Sequence, residues 1–193
     1  MLKNMLIRNV IHGMVRPIKY LNRINYTSCF KECLLPIAYC LSPRMNLILC
    51  DYLHGQIVGF DTAPLIYFIE ENPNYLDITD VFFEAMFLGE FSVVTSVLTI
   101  TEVLVYPLRQ GNKTLAQQYR EILFNSQGLT TIEVFPDIAE IAAQLRANYN
   151  LRTPDTIQIA TAIRGGASFF LTNDARLPSI PGLSVLVLQQ LIV

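Results

Sequence analysis

Five short apolar runs, spaced by stretches of helical length, leave this chain few ways to fold. The runs are "QIVGF" (56–60), "FSVVTS" (91–96), "TTIEVF" (130–135), "ASFFLT" (167–172) and "LSVLVL" (183–188). Between them, "PLIYFIEE" and "YLDITDVFFEAMFLG" read as helices broken by "NPN". "TITEVLVYPLRQ" and "KTLAQQYREILFNS" read as a second helical pair, "DIAEIAAQLRANYN" and "PDTIQIATAIRGG" as a third, with Gly165-Gly166 as a stop signal. Strands alternating with helices of this length demand βαβ units, whose right-handed crossovers build a largely parallel sheet. Such strands are buried on both faces and need little charge. A 52% apolar and 16% charged composition fits that economy. The fold class expected is α/β.

The 193 residues divide into two compositions. Residues 1–44 carry seven Lys or Arg against one acid, a net of +6; residues 45–193 carry seven against fifteen, a net of −8. All four cysteines (Cys29, Cys33, Cys40, Cys50) fall in the first fifty residues, at spacings that match no common zinc pattern. Residues 1–55 are therefore expected to be a basic, poorly ordered extension resembling an organellar targeting segment, and 56–193 the working domain. With Met45 just ahead of the body, the extension reads equally as upstream of the true start. No apolar run reaches the length of a membrane helix, since "CLLPIAYCL" is short and contains a proline. A body without cysteines after Cys50 fits a reducing, cytoplasmic setting.

In a parallel sheet, sites form beyond the carboxyl ends of the strands. The first run ends there on a lone acid, Asp61. Glu102 follows the second run, Asp155 opens a helix in "LRTPDTIQIATA", and Asp174 follows the fourth run in "FFLTNDARL". Each has an ordinary explanation. Thr99 and Glu102 match a capping box, Thr153 an N-cap with Pro154 and Asp155 in the first turn, Asp61 a cap for a helix starting near Pro64, and Asp174 a turn opener. Taken together, however, the four are expected to reach one edge, with Arg152 and Arg176 as the nearest bases and neither placed to neutralise them. Two carboxylates about 4 Å apart repel by roughly 4 kcal/mol at an effective dielectric near 20. Such a cluster takes up protons or a cation. Oxygen donors without His or Cys favour a hard ion, Mg²⁺ or Mn²⁺, and hence phosphate chemistry.

"VGFDTAPLIYFIEENP", "SVLTITEVL", "LRTPDTIQIATAI" and "FFLTNDARL", in that order, resemble the PIN domain, and within it the VapC-like toxin ribonucleases. The resemblance runs from about Ile57 to Val193. It implies a three-layer α/β/α fold with a central, mostly parallel sheet of four to five strands. It also implies a metal-dependent RNA endonuclease whose site an antitoxin protein blocks. Carried over by position, Asp61 and Asp155 become the principal metal ligands, Glu102 completes the cage, and Asp174 acts through water or a second ion. Ser96, Thr99, Thr172 and Asn173 become supporting polar residues. A body at −8 is poor material for indiscriminate RNA binding, because Lys and Arg usually supply that affinity. Arg152 and Arg176, with Arg109 and Lys113, remain for local phosphate contacts. The apolar helix "YLDITDVFFEAMFLG" is expected to pack in the core, the other uses of its face being an antitoxin groove or a homodimer contact. The competing reading is a PIN-like module that binds RNA or protein without cutting.

Overall fold

A computed structural model describes residues 52–192. Expectations for the basic, cysteine-bearing segment up to residue 51 lie outside the described residues.

All five apolar runs are strands: β1 (Ile57–Phe60), β2 (Ser92–Ser96), β3 (Leu129–Ile132), β4 (Phe169–Thr172) and β5 (Ser184–Val187). They form one sheet in the order β3-β2-β1-β4-β5, every neighbouring pair parallel. Helices α1 (Thr62–Ile69) and α2 (Leu76–Leu88) join β1 to β2. Helices α3 (Leu98–Val103), α4 (Val105–Arg109) and α5 (Lys113–Asn125) lead to β3, and α6 (Pro136–Tyr149) and α7 (Thr153–Arg164) lead to β4.

Successive residues of a strand point to opposite faces, and β1 shows how this builds three layers. Gly59 faces α7, so closely that an added Cβ would stand 2.4 Å from the Ala162 Cβ. The next side chain, Phe60, turns the other way and meets Phe83 of α2 edge-on, with ring centroids 5.9 Å apart. On the first face, Val94 and Phe170 pack with Ile138, Ala142 and Leu145 of α6 and Ile159 and Ala162 of α7. The apolar face of α2 is core, as expected: Ile78, Phe82, Phe83 and Met86 are buried. Gly89 ends that helix in the left-handed conformation at φ 80°, which a side chain would strain.

Three local expectations need correction. The stretch 99–110 is two short helices, not one. Pro107 cannot donate to the carbonyl four residues back, and the break at Leu104 puts it in a first turn, where no donor is needed. Helix α1 begins at Thr62, directly after Asp61, rather than near Pro64. Helix α7 takes Arg152 as its N-cap, so Thr153 is already helical, while Asp155 stays in the first turn.

Chain order decides where a site can open. From β1 the chain moves to β2 and β3 on one side, then returns to place β4 on β1's other side. The carboxyl ends of β1 and β4 thus flank the point where the winding reverses, the usual crevice in a sheet of this kind.

Candidate active site

Asp61 stands at that crevice as the last residue before α1. Its backbone N–H donates to the Leu171 carbonyl of β4 at 2.9 Å. One carboxylate oxygen, Oδ1, accepts the Thr62 N–H at 2.6 Å; the other, Oδ2, accepts the Thr172 hydroxyl at 3.0 Å. The first bond makes Asp61 the cap of α1, and the second ties it to the end of β4. Structural and functional readings of this residue therefore coincide. Burial pushes its pKa above the ordinary 3.8, and the negative charges of Glu102 and Asp155 push it further, against the two hydrogen bonds.

Glu102 is not half of a capping box. Val97 is the N-cap of α3, and Thr99 is the second residue of the helix, fully buried. Glu102 instead accepts a short hydrogen bond from the Thr62 hydroxyl, next to Asp61. Beneath this pair runs a buried polar network. Gln158 Nε2 donates to Thr99 Oγ1 at 2.8 Å and to Thr62 Oγ1 at 3.3 Å, while its Oε1 accepts the Ser96 N–H at 3.4 Å. Thr99 and Thr95 share a hydroxyl bond at 2.9 Å, and Ser96 Oγ accepts the Leu98 N–H at 3.2 Å. Ser96 and Thr99 thus sit in the frame behind the acids. Thr62, Thr95 and Gln158 belong to the same frame, and the sequence reading missed them. One signal was available: Gln158 lies three residues after Asp155, a lone amide on an otherwise apolar turn of α7.

At the end of β4, Thr172 Oγ1 also accepts the Asp174 N–H at 3.0 Å. Asn173, between them, donates from Nδ2 to the hydroxyls of Tyr67 and Tyr75, at 3.2 and 3.0 Å, and accepts the Gln189 N–H at 3.2 Å. The two tyrosine rings are stacked, with centroids 4.5 Å apart. Nothing in the sequence pattern announced this pair, which joins α1, the start of α2 and the end of β4.

The arginines correct the expectation that neither neutralises an acid. Arg152 Nε donates to Asp155 Oδ2 at 3.1 Å. Arg176 grips Asp174 with its fork, Nε to Oδ1 and Nη2 to Oδ2, both at 2.8 Å. Its backbone N–H reaches Oδ1 as well, at 2.9 Å, so Asp174 does open a turn. These contacts hold the Asp174 pKa down to about 2, with a smaller contribution from the charge of Arg152. Arg176 in turn feels Asp155. The two ion pairs are electrostatic neighbours at the same edge.

The structure thus brings Glu102 and Asp155 within electrostatic reach of Asp61, and links Asp174 to Asp61 through Thr172. Their chemistry, oxygen donors alone, suits a hard divalent cation. Their placement does not yet form its shell: among the described residues, no three His, Cys, Asp or Glu side chains stand together as ion ligands. Two of the four acids face arginine instead.

Comparison with known proteins gives a consistent picture. The family model described as "PIN domain" matches residues 59–183. No curated protein matches the chain. Among solved structures, one from a toxin–antitoxin complex of Klebsiella pneumoniae is 25% identical, with a TM-score of 0.51, over 67% of this chain and 95% of that one. A chain of VapBC2 from Rickettsia felis, bound to a DNA fragment from its promoter, is 18% identical with a TM-score of 0.54, covering 68% of this chain and 98% of its own. One of DNA-bound VapBC from Salmonella typhimurium is 18% identical with a TM-score of 0.53, covering 69% and 98%. At 18% identity the last two speak for the fold alone.

Proposed function

The chain belongs to the PIN domain family, and from that premise we propose that it is a metal-dependent endoribonuclease, the toxin of a toxin–antitoxin pair. The observation that supports this most is the convergence on Asp61. Thr62 and Thr172, which hold Asp61, also bind Glu102 and the Asp174 N–H, and Asp61 feels the charges of Glu102 and Asp155. Asp61, Glu102 and Asp155 are the ligands for Mg²⁺ or Mn²⁺, with Asp174 acting through water or a second ion. Such an ion acidifies a water as nucleophile and screens the phosphodiester. Thr172 and the Thr62 N–H hold Asp61 in place, Thr62 holds Glu102, and Gln158 orients Thr62. Arg152 and Arg176 supply phosphate contacts for an RNA backbone that the rest of this acidic body repels.

The similar chain from Klebsiella pneumoniae comes from a toxin–antitoxin complex, which supports a protein partner of that kind here. Among the described residues no helix is long and apolar enough to cross a membrane.

One observation favours the second reading, a module that binds without cutting: two of the four acids already have arginine partners. A cleavage assay separates the two. Purified full-length protein incubated with structured RNA and Mg²⁺ is expected to produce discrete fragments, and EDTA to stop it. Asp61→Asn should lower the rate by roughly a hundredfold or more, the range for losing a group that stabilises charge in the transition state. Binding without fragments, indifferent to Mg²⁺, would establish the non-catalytic module instead.

A further inference from the structure

Asn173 lies between Thr172, which holds Asp61, and Asp174, yet among the described residues its side chain bonds to no acid. Its Oδ1 accepts the Gln189 N–H, and that bond fixes which way the amide faces, because only the oxygen can accept. The Nδ2 amide therefore gives its two protons to Tyr67 and Tyr75, at 3.2 and 3.0 Å. The two rings lie 10° from parallel and both hydroxyls end at one nitrogen, so they project side by side in the same sense. A phenol oxygen that accepts a bond still has its own proton to donate. Among the described residues neither hydroxyl donates to an acceptor, and both tyrosines are only partly buried.

We propose that Tyr67 and Tyr75 form an uncharged phosphate subsite: the two hydroxyls, held together by Asn173, donate to one phosphodiester of the RNA strand in the crevice. This rests on the reading above that RNA is the ligand, and it holds whether or not the RNA is cut. Position supports it. Asn173 and Thr172 are neighbours in the chain, about 3.8 Å apart at Cα, so a strand running past Asp61 also passes the pair. Chemistry supports it as well. In an acidic body a guanidinium is drawn to carboxylates, as Arg152 and Arg176 are, whereas an uncharged phenol stays open to an incoming oxyanion. A hydroxyl that accepts a bond from an amide becomes a stronger donor, since bonds in a chain polarise one another. Bonds to a charged acceptor are also stronger than bonds between neutral groups. Finally, ring stacking and the shared amide already order both side chains, so little rotamer freedom is lost when a phosphate arrives.

Binding of the full-length protein to a short fluorescent RNA is measured by anisotropy at low salt in EDTA, so that no strand is cut. Tyr67→Phe and Tyr75→Phe keep the ring and its stacking and remove only the hydroxyl. Each is expected to weaken binding about three- to tenfold, the range for one hydrogen bond, and the double variant more than either. Tyr106→Phe, which removes an exposed hydroxyl on α4, should bind as wild type does. The phosphate itself is tested by replacing the phosphates of the RNA, one at a time, with uncharged methylphosphonate. One position is expected to weaken wild type and leave the double variant unaffected, a coupling that a merely structural pair does not produce. A double variant that binds the RNA as tightly as wild type would overturn the subsite and leave RNA as the ligand. Weaker binding with no coupling at any position would mean a structural or base-stacking role and would also overturn it. An RNA that wild type cleaves with Mg²⁺ but does not bind in EDTA would overturn the subsite alone. Wild type that neither binds nor cleaves RNA would remove the subsite and the reading it rests on together.

Discussion

Asp61 and Asp174 sit at the ends of adjacent strands and respond to pH in opposite ways. The pKa of Asp61 is raised by burial and by Glu102 and Asp155, so the folded protein holds a proton there that the unfolded chain releases near 3.8. Unfolding free energy therefore falls as pH rises from about 3.8 through the folded-state value, and stays lower above it. In EDTA, Asp61→Asn is expected to be more resistant to denaturant than wild type at pH 7, with the difference closing as pH falls. The amide can keep both hydrogen bonds, accepting from the Thr62 N–H and donating to Thr172, whose hydroxyl is free to rotate. A variant gaining stability while losing cleavage marks a residue placed for function. Asp174 shows the reverse: its carboxyl is held near 2 by Arg176, so its contribution is present above 3.8 and lost as pH falls toward 2. Arg176→Gln should return the Asp174 carboxyl toward its ordinary value, read by carbon NMR titration of the side chain. Sequence placed both acids correctly at strand ends. It could not show their opposite environments: that of Asp61 depends on burial and on Glu102, Asp155 and Thr172, from elements distant in the chain, and that of Asp174 on the way the Arg176 fork turns.

Packing between elements fixes the distance between the first and third acids. Asp61 directly follows β1 and Asp155 opens α7, and these two elements can approach only because Gly59 has no side chain against Ala162. Gly59→Ala would set a methyl 2.4 Å from the Ala162 Cβ and 3.0 Å from the Phe170 ring. It is expected to cost about 1–3 kcal/mol, the usual range for overpacking, measured by urea unfolding. Cleavage should fall beyond the loss of folded protein, because α7 moves with Asp155. Element types were readable because each has a simple cause, apolar runs of strand length and apolar repeats of helical length. Several boundaries were not. The Thr99–Glu102 spacing matches a capping box, yet the side chain of Glu102 is drawn instead to Thr62, forty residues earlier in the chain. The helix starts two residues earlier than the box requires, with Val97 as its N-cap, so Thr99 is already helical and Glu102 is left to a tertiary partner.

At the scale of the whole molecule, topology carries the account. Once β1 sends the chain one way and β4 returns on its other side, a crevice at their carboxyl ends follows, and the acids there follow from their sequence positions. Strand alternation and four acids at element junctions were legible without coordinates, being one-dimensional patterns; the strand order was not. The polar frame of Thr62, Thr95, Thr99 and Gln158 was not, because its members come from β2, α1, α3 and α7 and meet only when the sheet is assembled. Nor were the arginine pairings. Arg176 lies only two residues from Asp174, but nothing in that spacing says the fork turns back onto its own turn. The central claim is that acids scattered along the chain act as one unit. Residues acting as a unit are strongly non-additive, since once one is lost the others have little left to contribute. The direct measurement is the Mg²⁺-dependent RNA cleavage rate of wild type, Asp61→Asn, Glu102→Gln and the double variant. The account predicts a large loss in each single variant and a double variant no slower than the slower single. Losses that multiply, or wild-type cleavage in either single variant, would contradict it.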